Sequence, residues 1–229
     1  MRRTLFLFIQ SNSILLPLIP GLLRFPYIEK SYRPFIVLLL IGFINEILSF
    51  ISINIFKTNE VSSNLYLLVE AMFLFYQFHV WGFLKSKDKA FYLFTGVFAI
   101  MWIIEEILFG QITSNSRIFV ISYSFAVTLL GINQINYIII HEDRRLLRNG
   151  RFILCIGFII FYIYQILYEG ALYVNPYLDD NFETSNLIIL FFGNLNFFVN
   201  ILYAIAVFLI PEEAKLPFTL EKLNNMERG

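Results

Sequence analysis

Five glutamates stand where the chain offers them almost nothing to pair with. Glu46, Glu70, Glu105, Glu106 and Glu169 fall within long apolar runs, and none of these runs contains a lysine or arginine. An ionisable group at bilayer depth costs about 2.5 to 3.5 kcal/mol to insert, so each is a functional suspect. Two uses follow from the chemistry. Protonated, such a carboxyl donates hydrogen bonds to amides or carbonyls and glues helices together, at about 0.6 kcal/mol per contact. Ionised beside a water-filled cavity, it accepts a proton, a metal cation or an ammonium-bearing ligand.

Spacing narrows the candidates. Glu46 and Glu70 lie near the middle of their runs, within about 3 Å of the midplane and about 6 Å outward of it by the helical rise. Gln10 and Asn12 near the N-terminus, and Asn194 and Asn196 near the other end of the chain, bring neutral polar groups to the same level. Tyr66, Glu70, Phe73, Gln77 and Trp81 follow steps of three and four residues and share one helical face, which must look into a bundle because lipid offers Glu70 and Gln77 no partner. Asn196 and Asn200 form a second such pair. The expected ligand or cation group is therefore Glu46, Glu70, Gln77, Asn194, Asn196, Gln10 and Asn12. Glu105, Glu106 and Glu169 sit nearer the ends of their runs and are expected to reach the headgroups.

The elements that position these groups are transmembrane helices. With 58% hydrophobic and 15% charged residues in 229 and a mean hydropathy of +0.70, the composition lies outside the soluble range. Spans are expected at Thr4–Leu23, Pro34–Phe56, Leu65–Leu84, Ala90–Phe109, Ile118–Ile140, Phe152–Leu172 and Leu187–Ile210, each near the roughly 20 residues that cross a bilayer. This is an all-α, seven-span bundle over residues 1–210, followed by a short cytoplasmic tail, 211–229. Short connections make consecutive helices antiparallel neighbours. The first span is the weakest, interrupted by Gln10-Ser11-Asn12-Ser13 and followed by Pro17 and Pro20. It is expected to be retained, since Leu22-Leu23-Arg24-Phe25 lacks the small residues of a signal-cleavage site.

Basic residues set the expected orientation. With the N-terminus outside, thirteen of the 17 Lys and Arg residues face the cytoplasm and four the exterior, which favours N-out and C-in. Arg144, Arg145, Arg148 and Arg151 suit anionic headgroups or an acidic cytoplasmic partner. A weak internal echo joins Ile41-Gly42-Phe43-Ile44 to Ile156-Gly157-Phe158-Ile159, and Ser62-Ser63-Asn64-Leu65 to Thr184-Ser185-Asn186-Leu187, hinting at a three-plus-one-plus-three duplication. Cys155 reads as a small buried hydrophobe. His79 and His141 are isolated and lack metal-ligand spacing.

In topology the chain resembles the rhodopsin-like and the SWEET sugar-transporter seven-helix families, yet it lacks what makes either match specific. Its seventh helix has no lysine for a Schiff base, and no Pro-Gln pair occurs anywhere. Two histidines do not supply the ligand set of a seven-helix metal hydrolase. There is also no G-x-S-x-G, Walker A or H-E-x-x-H. No family is assigned. The expected function is a non-enzymatic, receptor-like sensor or signal-coupling protein of a bacterial cytoplasmic membrane, with no cofactor and no nucleic-acid partner. A small proton- or cation-coupled transporter or channel using Glu46 and Glu70 is the alternative, and an intramembrane lipid-modifying enzyme the third.

Overall fold

The computed structural model describes residues 12–85, 87–109, 117–142, 145–174 and 182–213, with the side chains of 182–190 and 192 excepted. Among them the chain forms seven α-helices and no strand, only one isolated bridge pair. A 3-10 turn, Asn12–Ile14, leads into α1 (Leu15–Arg24). Then come α2 (Arg33–Phe56), α3 (Glu60–Val80), α4 (Asp88–Ile103), α5 (Arg117–His141), α6 (Gly150–Val174) and α7 (Phe182–Leu209). Each falls on one of the seven apolar runs.

Local chemistry sets the ends. Pro34, in the first turn of α2, takes a position where a missing N–H costs nothing, and Lys57 ends that helix in a left-handed turn at φ 63°. Asn149 caps α6, its Oδ1 accepting from the N–H groups of Arg151 (3.0 Å) and Phe152 (3.3 Å). The last carbonyls of α7 are met by a distant side chain, Arg24, whose guanidinium donates to Val207 O and, at 3.0 Å, to Ile210 O.

Four helical segments, 30–56, 88–108, 117–141 and 150–174, are long and apolar enough to cross a membrane. That is the character of an integral membrane protein. α3 has the length, with 21 residues, but Glu60, Asn64, Glu70, Gln77 and His79 lower its hydropathy. α1 has 10 residues and reaches about 15 Å, half a hydrocarbon core. The rest of the expected first span, 1–11, lies outside the described residues.

The helices pack as a ring. α1 touches α2 and α7, α2 packs on α3, α3 meets α4 and α5, and α5, α6 and α7 follow side by side. Large apolar side chains, among them Phe35, Phe75, Phe78, Phe119 and Phe158, fill the core. Because lipid is as apolar as leucine, such contacts hold membrane helices by close packing rather than by exclusion from water. Both glycines of the sequence echo serve that packing. A methyl at Gly42 would stand 2.9 Å from Ile14 Cδ1 and 3.1 Å from the Tyr66 hydroxyl, and one at Gly157 would stand 2.5 Å from Tyr203 Cε1. Each lets a tyrosine of the next helix approach.

The first, third and fifth connections and the start of the tail meet at one end. Glu29 N–H donates to Pro211 O (3.0 Å) and Glu213 N–H to Tyr27 O (2.7 Å), while Tyr32 packs on Trp81 and Arg151 lies over both rings. Lys30 and Arg33 pair with Glu213 at 3.0 and 3.4 Å. Beyond Glu213 the tail lies outside the described residues.

Candidate functional site

Inward stripes of four helices converge on one cavity of about 240 Å³. α2 supplies Phe35, Leu38, Leu39, Gly42, Asn45 and Glu46, and α3 supplies Tyr66, Leu67, Glu70 and Leu74. Phe158, Phe161, Tyr162 and Gln165 come from α6, Asn196, Asn200 and Tyr203 from α7, and Ile14 closes an edge. Every stripe follows the three- and four-residue step of a helix face. None of the described lining residues is Lys, Arg or His.

The two carboxylates in the cavity are held differently. Glu70 is encircled by phenols: Tyr123 donates to Oε2 at 2.8 Å, Tyr66 to Oε1 at 3.4 Å, and Tyr162 provides a third contact. Gln165 Nε2 in turn donates to the Tyr123 oxygen at 3.4 Å, and Gln165 Oε1 is left buried without a hydrogen-bond partner among the described residues. Glu46 is exposed, at the open side of the cavity, and makes no hydrogen bond or ion pair with a described residue. On the facing wall Asn200 Nδ2 donates to Ser13 Oγ (2.9 Å) and to Asn196 Oδ1 (3.2 Å).

Aromatic rings close the floor. Phe35 meets Tyr203 and Phe158 with centroids 5.2 and 5.8 Å apart, Phe158 meets Phe78 at 5.9 Å, and Phe78 meets Trp81 at 5.6 Å. Trp81 meets Tyr32 at 5.8 Å. The Arg151 guanidinium covers Trp81 at 5.5 Å and Tyr32 at 5.8 Å, a cation–π pair at the end where the odd connections gather. Arg151 also pairs with Glu142 at 3.7 Å. A continuous column of rings thus runs from the cavity to the basic end.

The structure brings Glu46, Glu70 and Asn196 together and leaves Gln77, Asn194 and Asn12 outside the cavity lining. Gln77 is 1% exposed, but its amide is spent on the first turn of α2 and on Ser31, two residues before that helix begins. Its Oε1 accepts from Phe35 N–H at 2.8 Å, and its Nε2 donates to Ser31 O at 2.7 Å. Its polarity serves a neighbouring helix's orphan backbone groups rather than the cavity. Asn194 is exposed and does not line the cavity, because its neighbours at 193 and 195 take the half-buried positions. Asn12 heads the 3-10 turn, half-buried and outside the lining; Ser13 beside it makes the contact to Asn200. Gln10 lies outside the described residues.

Glu105 and Glu106 correct the expectation that they reach headgroups. They are 6% and 1% exposed. Both sit in a π turn, Ile104–Leu108, at the end of α4, and that wider turn brings two consecutive side chains inward where an α-helix would splay them by about 100°. Glu105 caps α5, accepting from the N–H groups of Ile118 (3.0 Å) and Phe119 (2.6 Å). Glu106 Oε2 accepts from Asn64 Nδ2 at 3.0 Å, and Trp102 Nε1 donates to Asn64 O at 3.1 Å. Glu169 is half-buried.

At the basic end Arg145 and Arg148 are exposed, as a partner or lipid contact requires. Arg151 is half-buried and turned inward onto Tyr32, Trp81 and Glu142, so it does not share their surface. Arg144 lies outside the described residues. His79 stacks on Phe91 with centroids 4.0 Å apart and bonds Phe83 O.

Tyr66, expected on the inward face of α3, reaches the site, and Tyr123, Tyr162, Tyr203, Asn45 and Gln165 complete it without having been expected there. The latter lie on helices other than that of Glu70, or beside Glu46, and no register within one helix points to them. No protein-family model, curated protein or solved structure matches this chain.

Proposed function

We propose that this chain is a ligand-sensing membrane protein. A small molecule enters the cavity beside Glu46, and its presence is relayed through the aromatic column to the basic end, where Arg145 and Arg148 meet an acidic partner protein. One observation carries this reading. The cavity's floor is the first ring of a packed column that ends under Arg151, a geometry suited to coupling occupancy to the far face. In this reading all seven helices cross the bilayer, with the N-terminus outside and the basic end in the cytoplasm. The meeting of the odd connections and the tail at one end supports it, since seven alternating crossings put those segments on one side.

A second reading, a proton- or cation-coupled carrier using Glu46 and Glu70, draws support from carboxylates at bilayer depth with no lysine or arginine in the spans. Proteoliposome flux separates the two. Sensing predicts no ion or solute movement above protein-free vesicles for the full chain. A flux abolished by Glu70→Gln would replace the sensor with the carrier.

A further inference from the structure

The reading of this cavity as a ligand site leaves the ligand's chemistry open, and the donors and acceptors around it narrow that choice. Glu70 already receives its phenols. The Asn200 amide is turned away to Ser13 and Asn196. The one charged group that faces the space unspent is an acceptor, the exposed Glu46 carboxylate, which bonds no described residue and stands among the neutral amides of Asn45 and Asn196. A hydrogen bond to a charged group is worth about 1.5 to 3 kcal/mol, so a ligand that brings N–H groups to Glu46 gains it and a ligand that brings only acceptors does not.

Charge and walls point the same way. Two carboxylates and no described lining cation repel an anion. Phe35, Phe158 and Tyr203 offer ring surface that favours an apolar body, and a ring face stabilises a nearby positive charge. A bare metal ion would want several oxygens closing to about 2.0 to 2.6 Å, and no group of three or more metal-binding side chains occurs among the described residues. An engineered apolar cavity of about 150 Å³ holds benzene. The 240 Å³ here has room for a somewhat larger molecule.

We infer that the ligand is a small organic ammonium ion, its charged nitrogen at the Glu46 carboxylate and its apolar body against Phe35 and Phe158.

Calorimetry on the full chain in nanodiscs tests this with n-butylammonium and benzylammonium against n-butanol, benzyl alcohol and benzoate. The ammonium compounds should bind at least about tenfold more tightly than the alcohols, and benzoate should not bind. Glu46→Gln should weaken ammonium binding by about ten- to a hundredfold, the range for a charged hydrogen bond, with the ligand-free melting temperature unchanged. Glu46→Asp keeps the charge and should retain binding if the glutamine variant fails to fold. Equal binding of alcohols and ammonium compounds would overturn the ammonium inference and keep the cavity as a ligand site. A preference for benzoate, or indifference to Glu46→Gln, would also overturn it. No binding by any of the five would remove both the inference and the ligand-site reading.

Discussion

Two pairs of glutamates lie in the apolar helices of this protein, and they are used in opposite ways. At the end of α4, Glu105 spends both carboxylate oxygens on the first N–H groups of α5, and Glu106 takes the amide of Asn64. In the central cavity, Glu70 is satisfied by phenols that can rotate, and Glu46 bonds no described residue. A carboxylate inside a membrane protein is therefore not by itself a site. What separates the two pairs is that fixed donors hold the α4 carboxylates, leaving only a buried Glu106 Oε1 without a partner among the described residues, whereas the cavity pair lines a space that a ligand can fill.

Removing members of each pair tests the distinction, and the largest effect belongs to the α4 turn. Glu105→Ala strips the acceptor from the N–H groups of Ile118 and Phe119, the second of them buried, and should cost about 2 to 3 kcal/mol of stability, read as a lower denaturation midpoint in detergent. Gly157→Ala should follow. Its new methyl meets Tyr203 Cε1 at 2.5 Å and must displace that ring from the cavity floor, at a cost of about 1 to 3 kcal/mol together with a loss of ligand binding. Tyr123→Phe removes the 2.8 Å bond to Glu70 and should cost about 1 kcal/mol, since two phenols remain. Glu46→Gln should change the ligand-free stability least, by under about 0.5 kcal/mol, while abolishing the response to ligand. If Glu46→Gln destabilised as much as Glu105→Ala, both pairs would be structural and the distinction would fail.

The helices and the meeting of Glu46 with Glu70 in one cavity were legible because hydropathy and a 3.6-residue period carry that information directly. So was the inward face of α3, where Tyr66 and Glu70 reach the cavity and Gln77 and Trp81 are buried. The other errors share a cause. Gln77 sits at the right depth and on the right face, yet its amide satisfies Phe35 N–H and Ser31 O, and no reading of α3 alone reveals an uncapped neighbouring helix. Glu105 and Glu106 read as headgroup contacts because an α-helical count places consecutive residues on different faces, and the π turn that brings both inward leaves no mark in the sequence. Arg151 looked like one more basic surface residue until Tyr32 and Trp81, far apart in sequence, were found stacked beneath it.

Coupling between cavity and basic end can be read directly. Cys155 is buried, so a cysteine introduced at exposed Leu147, in the turn Leu146–Arg148, offers a selective site for an environment-sensitive fluorophore in nanodiscs. Benzylammonium should shift the emission of that label in a saturable manner, and the shift should disappear in Glu46→Gln and be reduced in Phe158→Ala, which interrupts the column of rings. Binding that saturates by calorimetry while the label at 147 stays silent would contradict a relay from the cavity to the basic face.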